Sequence, residues 1–368
     1  MKKLKNVISL FDGMSCAQIA LNQSGIEYEN YFASEIDKYG QIVSKANFPN
    51  TKYIGDVRFV SYKDGILTTQ FGTFNIGKVD LLCGGSPCQS FSFAGKRKGM
   101  ATKDEQEILT LDRYLQLKAE EYEFEGQSYL FWEYMRILTE IQAENPDVKF
   151  LLENVIMGEK WQTILTRAIG IQPIEINAAL VSAQNRRRLF WTNIGSEPDG
   201  LFGDIVCKIP QPKDKGILLK DILEQEVDEK YFLSEKMINA FYNHKERHDN
   251  KGTGFGFKPK IGNEKGNALR ANAALCPTDN TIIINNPDKL YCIDANYFKG
   301  GTIQNYIEKS RRQLISDYSK IRRLTPIECE RLQCVPDNFT NHVSDSQRYK
   351  MLGNGWNIQV INHIFLYL

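Results

Sequence analysis

The chain contains 368 residues, of which 42% are hydrophobic and 25% are charged, and its formal net charge is only +1. This composition is that of a globular protein with a sizeable core, formed by one large domain or by a large and a small one. No signal peptide or membrane span is evident and the eight cysteines form no CxxC pair, which argues against a zinc ribbon or a disulfide framework and favours a cytoplasmic protein.

Predicted strands and helices alternate along the first half of the chain. The predicted strands are NVISLF, YENYFAS, KVDLLC and KFLLEN, and helices are expected over residues 15–23, 37–46 and 128–142. This alternation predicts an α/β fold with a doubly wound, mostly parallel sheet. INAALVSAQ and RRLFWTN are predicted as late strands and are candidates for one antiparallel pair.

Two segments depart from this alternation. Residues 103–126 are acidic and favour helix, so we predict an insertion that carries its own helix. From about Glu197 the sequence becomes rich in glycine and asparagine and predicts a smaller, irregular, β-rich domain. Residues 240–325 carry 15 lysines and arginines against 8 acidic residues, which indicates either a polyanion partner or a solvated lysine-rich surface. Residues 351–368 predict an apolar helix that returns to the sheet.

The motif SLFDGMSCAQIAL reads as strand, glycine turn and helix, an arrangement that can hold a nucleotide-like cofactor at a helix amino terminus. Ser15 and Cys16 stand where a dinucleotide fingerprint would have glycines. Glu35 follows the second strand, where a carboxylate can accept both ribose hydroxyls, and Asp56 follows the next one. Either carboxylate could instead be a helix N-cap. Together these strand ends favour a cofactor with an adenosine head.

The stretch GGSPCQSFSFAG places Cys88 behind a proline at the end of an apolar strand. Cys88 could be a structural cysteine in a tight turn or a nucleophile. Glu153 ends another apolar strand, and residues 186–188 are three consecutive arginines beside a further strand. Because a buried carboxylate needs a partner, these residues predict either a structural ion pair or a grip on a polar heterocycle.

Two other groups of potential ligands are not interpreted as metal sites. His244 and His248 are spaced for one face of a helix but have no Cys, His or Asp cluster nearby, which favours an exposed polar face. Cys329 and Cys334 are interpreted as helix packing. We therefore expect no metal.

The motifs resemble those of the C5-cytosine DNA methyltransferase family, in family order and over essentially the whole chain. They are FDGMSC, SEID, GDVR, GGSPCQSFSFAG, ENV, QNRRR, RRLTPIECERLQCVPDNF and LGNGWNIQVI. FDG, GDVR, VSAQNRRRLFW and Trp356 are similar to the animal de novo enzymes, whereas the compact length resembles bacterial and phage modification enzymes. The resemblance implies a Rossmann-like S-adenosylmethionine-dependent methyltransferase fold with a target-recognition domain.

The resemblance also implies the reaction and its residues. The Cys88 thiolate adds to C6 of a cytosine flipped out of double-stranded DNA, while Glu153, Arg186 and Arg188 hold the ring. S-adenosylmethionine is the implied methyl donor and S-adenosylhomocysteine the product, with Phe11 on adenine, Glu35 on ribose and Asp56 on the adenine amine. The full set of implied cofactor contacts is Phe11, Asp12, Gly13, Met14, Ser15, Cys16, Glu35, Ile36, Asp56, Val57, Pro87, Asn354, Gly355 and Trp356.

The chain departs from the family pattern at a few positions. Ser15 and Cys16 leave fewer glycines than the family's FxGxGG, and Trp356 replaces a commoner valine. Two alternatives stay open: a tRNA cytosine-C5 methyltransferase and a catalytically inactive DNA-binding homologue. The PCQ sequence and the long variable region argue against the first, and the intact Cys88, Glu153 and Arg188 argue against the second.

We expect a catalytic domain over residues 1–195, completed by a returning helix in residues 340–368, and a target-recognition domain over residues 196–339. The protein is expected to act as a monomer. Sequence specificity is expected in the basic stretch from about Lys245 to Arg323, with GNALRANAALCPTDN and KSRRQ as reading and clamping loops. Restriction–modification, phage self-protection and regulation stay open as biological roles.

Overall fold

The computed structural model describes residues 3–87, 100–199, 204–251, 259–260, 263–269, 282–284 and 321–368. Cys88 and the KSRRQ loop lie outside the described residues, as does most of GNALRANAALCPTDN. His244 and His248 lie within a helix, but their side chains are likewise outside the description.

Helices and strands alternate through the first half of the chain, as expected. The helices are α1 (Cys16–Gln23), α2 (Lys38–Asn47), α3 (Leu111–Ala119), α4 (Phe131–Glu144), α5 (Glu159–Ile169), α6 (Glu235–Lys251), α7 (Pro326–Leu332), α8 (Asp345–Asn354) and α9 (Ile358–Phe365). The strands are β1 (Lys3–Leu10), β2 (Glu27–Ser34), β3 (Lys52–Tyr53), β4 (Ser61–Lys63), β5 (Ile66–Thr69), β6 (Gly72–Asn75), β7 (Leu81–Gly85), β8 (Lys149–Val155), β9 (Ile174–Asn177), β10 (Gln184–Asn185), β11 (Arg187–Thr192), β12 (Ser196–Asp199), β13 (Asp204–Cys207), β14 (Gly266–Asn267), β15 (Ile282–Ile284) and β16 (Ile321–Arg323). Helix α3 confirms that the acidic insertion carries its own helix.

A seven-stranded sheet with the order β3-β2-β1-β7-β8-β11-β9 forms the centre of the fold. Strands β3, β2, β1, β7 and β8 pair in parallel, and β11 runs antiparallel to both β8 and β9. The predicted α/β fold with a mostly parallel sheet is therefore confirmed. The strand order reverses between β1 and β7, and such a switch point opens a crevice at the carboxyl ends of the strands. The segments that follow β1, β2, β7 and β8 converge at that edge.

The expected late strands are confirmed only in part. RRLFWTN forms β11, which pairs with β9 in antiparallel fashion. The prediction for INAALVSAQ is wrong beyond Asn177, because a 3₁₀ helix (Ala178–Leu180) begins there. The Asn177 side chain accepts hydrogen bonds from the backbone N–H groups of Ala179 and Arg186, at 3.0 Å each. This side-chain cap turns the chain out of the strand.

The sheet separates two hydrophobic cores, because successive side chains of a strand point to opposite faces. In β7, Leu81 belongs to one core and Leu82 to the other. Helices α1 and α9 pack together in the first core, and α4 fills much of the second. The apolar carboxyl-terminal segment therefore returns to the sheet, as its sequence predicted.

Parts of the expected target-recognition domain belong to the first core. The buried side chains that join it are Ile209, Leu219, Ile222, Leu324, Cys329, Leu332, Val335 and Phe339. Cys329 is buried and Cys334 is half-buried in this packing, which confirms their interpretation as packing residues. The domain limits at residues 195 and 339 stay a prediction.

A buried ion pair fixes the start of α7. Arg322 and Glu328 have side chains that are 1% and 0% exposed, and two N–H···O bonds of 2.8 Å join them. Glu328 also accepts the backbone N–H of Thr325, while the Thr325 hydroxyl accepts the N–H of Glu328. This capping box and ion pair share one carboxylate, so its removal would leave several buried donors without an acceptor.

We predict that Glu328→Gln lowers the free energy of unfolding by about 3–5 kcal/mol, because it leaves the buried Arg322 guanidinium without a counter-charge. The matched control is Asp337→Asn, which breaks the half-exposed pair with Arg331 and should cost less than about 1 kcal/mol. Urea unfolding followed by circular dichroism measures both. Equal losses of unfolding free energy in the two variants would contradict a stabilising role for the buried Arg322–Glu328 pair.

Candidate active site

The loop between β1 and α1 adopts a left-handed backbone at alternate residues. Phe11, Gly13 and Ser15 have φ angles of 58°, 59° and 63°, although glycine stands at only one of these positions. A left-handed residue other than glycine costs about 1–2 kcal/mol. The loop therefore keeps its shape against local preference, and interactions within the loop must stabilise it.

Side-chain hydrogen bonds provide that stabilisation. The Ser15 hydroxyl bonds to the Asp12 carboxylate and lies 2.6 Å from the Ser44 hydroxyl. Tyr31 donates its hydroxyl to the other oxygen of Asp12 at 2.6 Å. Burial raises the pKa of Asp12, while the hydrogen bonds from Ser15, Ser9 and Tyr31 oppose this shift. Ser15 thus replaces a glycine of the family pattern by adding polar contacts that glycine lacks.

Glu35, at the end of β2, connects this loop to α2. Its carboxylate accepts backbone N–H groups from Gly13 at 2.7 Å, from Ile36 at 2.7 Å and from Asp37 at 2.6 Å. Burial raises the pKa of Glu35, against the effect of these amides. A Cβ atom on Gly40 would lie 2.7 Å from the Gly13 carbonyl oxygen, so the close approach of α2 to the loop requires glycine there.

Asp56 lies beyond the end of β3 and caps the 3₁₀ helix Val57–Phe59. Its two oxygens accept hydrogen bonds from Arg58 Nε and Nη2 and from the Arg58 amide. Burial favours a higher pKa, but the contacts with Arg58 outweigh burial and hold the pKa of Asp56 below its ordinary value. Beside it, the Asp56 amide donates to Gln70 Oε1 at 2.8 Å. The N-cap interpretation of Asp56 is therefore confirmed as a structural role.

The backbone that precedes Cys88 is closely packed against two side chains at Gly85. A Cβ atom on Gly85 would lie 2.8 Å from Trp356 Nε1 and 3.1 Å from Glu153 Oε2. Next along the chain, Ser86 is buried and receives a hydrogen bond of 3.1 Å on its hydroxyl from Asn154 Nδ2. Glycine at position 85 thus lets an indole and a carboxylate approach the backbone three residues before Cys88.

Glu153 and Arg188 face each other on adjacent strands β8 and β11. The distance from Arg188 Nε to Glu153 Oε1 is 2.9 Å, and the side chains are 18% and 11% exposed. The ion pair that the sequence suggested is therefore present. Both residues, together with Arg186, Phe190, Trp356 and Asn357, line a small cavity.

Arg186 is buried and turned toward the carboxyl-terminal segment. It donates to the carbonyl oxygens of Gly353 at 3.2 Å, Gly355 at 2.9 Å and Leu269 at 3.1 Å. The three carbonyl groups accept hydrogen bonds from both Nη atoms of a guanidinium that would be costly to bury without acceptors. The described geometry therefore gives Arg186 a role in holding the turn that contains Asn354.

The same turn contacts the loop after β1 through Cys16. The Trp356 amide donates to Cys16 Sγ at 3.4 Å, and a Cβ atom on Gly355 would lie 2.7 Å from the Met14 side chain. Burial raises the pKa of the Cys16 thiol to about 12, so this cysteine stays neutral at pH 7 and is a packing residue. The beginning and the end of the chain thus form adjacent walls of one site.

The family model for C-5 cytosine-specific DNA methylases matches residues 5–163 and 176–368. The chain belongs to this family. It is a methyltransferase that uses S-adenosylmethionine to methylate cytosine in DNA at C5, which confirms the enzyme class that the motifs implied.

Curated relatives agree with this membership, and a solved structure shares the fold. The type II methyltransferase M.NlaX of Neisseria lactamica is 28% identical over 369 residues, which cover 97% of this chain and 94% of the relative. M1.ScrFI of Lactococcus lactis subsp. cremoris is 27% identical over 370 residues, or 97% of this chain and 76% of the relative. The fold is similar to that of the Entamoeba histolytica methyltransferase EhMeth, with a TM-score of 0.64 and 14% identity over 100% of this chain and 98% of that one.

Most residues expected at the methyltransferase site do meet at one sheet edge. The segments 11–16, 35–36, 56–57, 85–87 and 353–356 follow strand ends or close over them. Sequence reasoning missed Gln70 and the Asn154–Ser86 contact. Asn154 belongs to the ENV motif, which could have identified it. Gln70 lies in a hairpin between motifs, and no sequence motif points to it.

Neither a metal site nor a membrane segment is found in the part of the chain that the structure describes. No group of three or more His, Cys, Asp and Glu side chains in those residues could hold a metal ion. None of the helices described there is long and apolar enough to cross a membrane.

We predict that Gly85→Ala reduces kcat of the methyltransferase by about tenfold to a hundredfold, because the added methyl group displaces Trp356 and Glu153 from their positions. Gly158→Ala is the control, since its Cβ would meet nothing within 4 Å. Steady-state methylation of duplex DNA and a thermal melt are measured for both variants. A Gly85→Ala enzyme with wild-type kcat would show that Trp356 and Glu153 accommodate a methyl group at position 85 without loss of activity.

Proposed function

We propose that the enzyme methylates a cytosine flipped out of double-stranded DNA, through a covalent bond between Cys88 and C6. The observation that carries this proposal is the position of the Glu153–Arg188 pair beside Gly85, at the end of the strand that leads into Pro87 and Cys88. A nucleophile and two groups able to hold a polar ring are then provided by neighbouring strand ends.

Cys88 activates the cytosine by nucleophilic addition. Its thiolate forms the Sγ–C6 bond, and the ring electrons move toward C5, which then has the nucleophilicity that cytosine lacks. When bound, S-adenosylmethionine would supply the methyl group for C5 from its sulfonium centre, with S-adenosylhomocysteine as the leaving group. The C5 proton is then lost to a base, the Sγ–C6 bond breaks, and the thiolate is restored.

Glu153 and Arg188 hold the ring during this addition. Glu153, after taking up a proton, donates it to N3, which makes C6 electrophilic, and accepts a hydrogen bond from the exocyclic amine. It takes the N3 proton back when the Sγ–C6 bond breaks, and Arg188 donates to O2 throughout. Their observed ion pair keeps both side chains in place before the base arrives, and the carboxylate retains lone pairs for a second partner. Arg186 acts one step away, by holding the Gly353–Gly355 turn.

The residues at the ends of β1, β2 and β3 fit S-adenosylmethionine. Glu35 lies where it can accept the ribose hydroxyls, and Asp56, with Val57 beside it, can share its carboxylate between Arg58 and the adenine amine. Phe11 and Ile36 contribute apolar surface for adenine, and Ile36 is 64% exposed. The loop from Asp12 to Cys16, Pro87 and the turn from Asn354 to Trp356 hold the methionine end.

Recognition of DNA sequence is assigned to residues 196–339, between the catalytic segments 1–195 and 340–368. The catalytic pocket receives only the flipped cytosine, so neighbouring base pairs must be read by another part of the protein in the major groove. The basic stretch from Lys245 to Arg323 has the composition for this task. Since the relatives named above are type II methyltransferases, we propose a modification role, carried out by a monomer at the nucleoid.

We predict that duplex DNA with 5-fluorocytosine in the recognition site traps the wild-type enzyme covalently, because fluorine at C5 cannot leave as a proton. Cys88→Ser should lose trapping and most turnover while still binding S-adenosylhomocysteine. Cys207→Ser, at a half-buried cysteine of β13, should trap normally. Denaturing gels detect the adduct, and near wild-type methylation by Cys88→Ser would exclude Cys88 as the nucleophile. The same assay with tRNA tests the alternative substrate.

We also predict that specificity follows residues 200–320 when this segment is exchanged for that of a relative with a different, known site. Bisulfite sequencing of DNA from expressing cells maps the methylated cytosines. The methylated site should change to that of the donor enzyme. A chimera that still methylates the original site would place sequence recognition in the catalytic domain.

A further inference from the structure

The acidic insertion, residues 103–126, is built into the protein core and does not form a loose loop. In α3, Tyr114 and Leu117 are 1% and 0% exposed and belong to the core that contains α4. The insertion carries eight acidic and three basic residues, so its surface would repel DNA phosphates. Its charge therefore argues against a contact with DNA, and its packing makes it part of the core around α4.

One buried carboxylate joins the insertion to α4. Glu133 has a side chain that is 0% exposed, and it accepts hydrogen bonds from Tyr114 Oη and Lys118 Nζ of α3. On the α4 side, Arg136 Nε donates to the second oxygen of Glu133 at 2.8 Å. Glu133 thus fixes two cationic groups, one from each helix, in a common position.

Lys118 and Arg136 also contact the turn that carries Asp56. Arg136 Nη2 donates to the carbonyl oxygen of Val60 at 2.6 Å and lies 3.4 Å from that of Val57. Lys118 Nζ lies 3.4 Å from the carbonyl oxygen of Arg58. The two cations therefore contact three carbonyl oxygens of this turn, those of Val57, Arg58 and Val60.

We propose that the insertion positions the adenine end of the cofactor site, with Lys118 as its positioning residue. The inference rests on the proposed assignment of Asp56 and Val57 to adenine. Lys118 holds the Arg58 carbonyl and, through Glu133, the Arg136 guanidinium, so the turn keeps one conformation before the cofactor binds. A pre-organised turn lowers the entropic cost of binding, and the effect is limited to the adenosine half of the cofactor.

The test compares Lys118→Met with Lys103→Met, which removes an exposed lysine of the same insertion that pairs with Glu123. Calorimetry with S-adenosylhomocysteine should give a Kd raised about threefold to tenfold in Lys118→Met and unchanged in Lys103→Met. The Kd of 5′-methylthioadenosine, which lacks the amino-acid half, should rise by the same factor. Steady-state kinetics should show a higher KM for S-adenosylmethionine with unchanged kcat and unchanged KM for DNA.

Hydrogen exchange gives a second measurement, since the amides of Phe59 and Val60 are bonded within the turn and should exchange faster in Lys118→Met. Tyr114→Phe is the second variant, to be used if Lys118→Met fails to fold. It removes one hydrogen-bond donor to Glu133 without removing a charge, and should raise both Kd values by a smaller factor. Kd values that are unchanged in Lys118→Met, or a loss of affinity for S-adenosylhomocysteine but not for 5′-methylthioadenosine, would overturn the inference. A wild-type enzyme that binds neither molecule would instead contradict the proposed cofactor site.

Discussion

The burial of Arg186 against the carboxyl-terminal turn is the interaction on which the site depends. Its guanidinium binds the carbonyl oxygens of Gly353 and Gly355, and this turn places Trp356 against Cys16 on one side and above Gly85 on the other. Residues separated by hundreds of positions in the chain thereby enclose one space. Without this anchor, Cys16 in the segment after β1 and Gly85 at the end of β7 would each lose their contact with Trp356.

The anchor also explains why the site tolerates a loop with few glycines. The family pattern supplies conformational freedom at positions where this chain has Ser15 and Cys16. Here the left-handed Ser15 is held by Asp12 and Ser44, and the Cys16 thiol fills the space beneath the Trp356 amide. Rigidity that comes from hydrogen bonds and packing replaces the freedom of glycine, and it depends on neighbours that only the complete fold provides.

The sequence was sufficient for the fold class, for the family, and for placing Glu35 directly after β2, Asp56 beyond β3 and Glu153 near the end of β8. These features follow from strand periodicity and from motifs that lie within short segments. The cap at Asn177 was not predicted, because one side chain there outweighs an apolar pattern typical of a strand. The contacts of Gln70 and Lys118 with the Asp56 turn depend on how a hairpin and an insertion fold back, and no local pattern encodes that.

The three consecutive arginines show how strand geometry divides neighbouring identical residues among different tasks. Side chains alternate between the two faces of a strand, so Arg187 and Arg188, the first two residues of β11, point to opposite faces, and Arg186 immediately precedes this strand. Arg187 pairs with Glu175 at a position where both side chains are largely exposed. Arg186 reaches the carboxyl-terminal turn, and Arg188, two residues further along, reaches Glu153. The site therefore uses the arginines at 186 and 188, whereas the residue between them points to the other face of β11 and pairs at the surface.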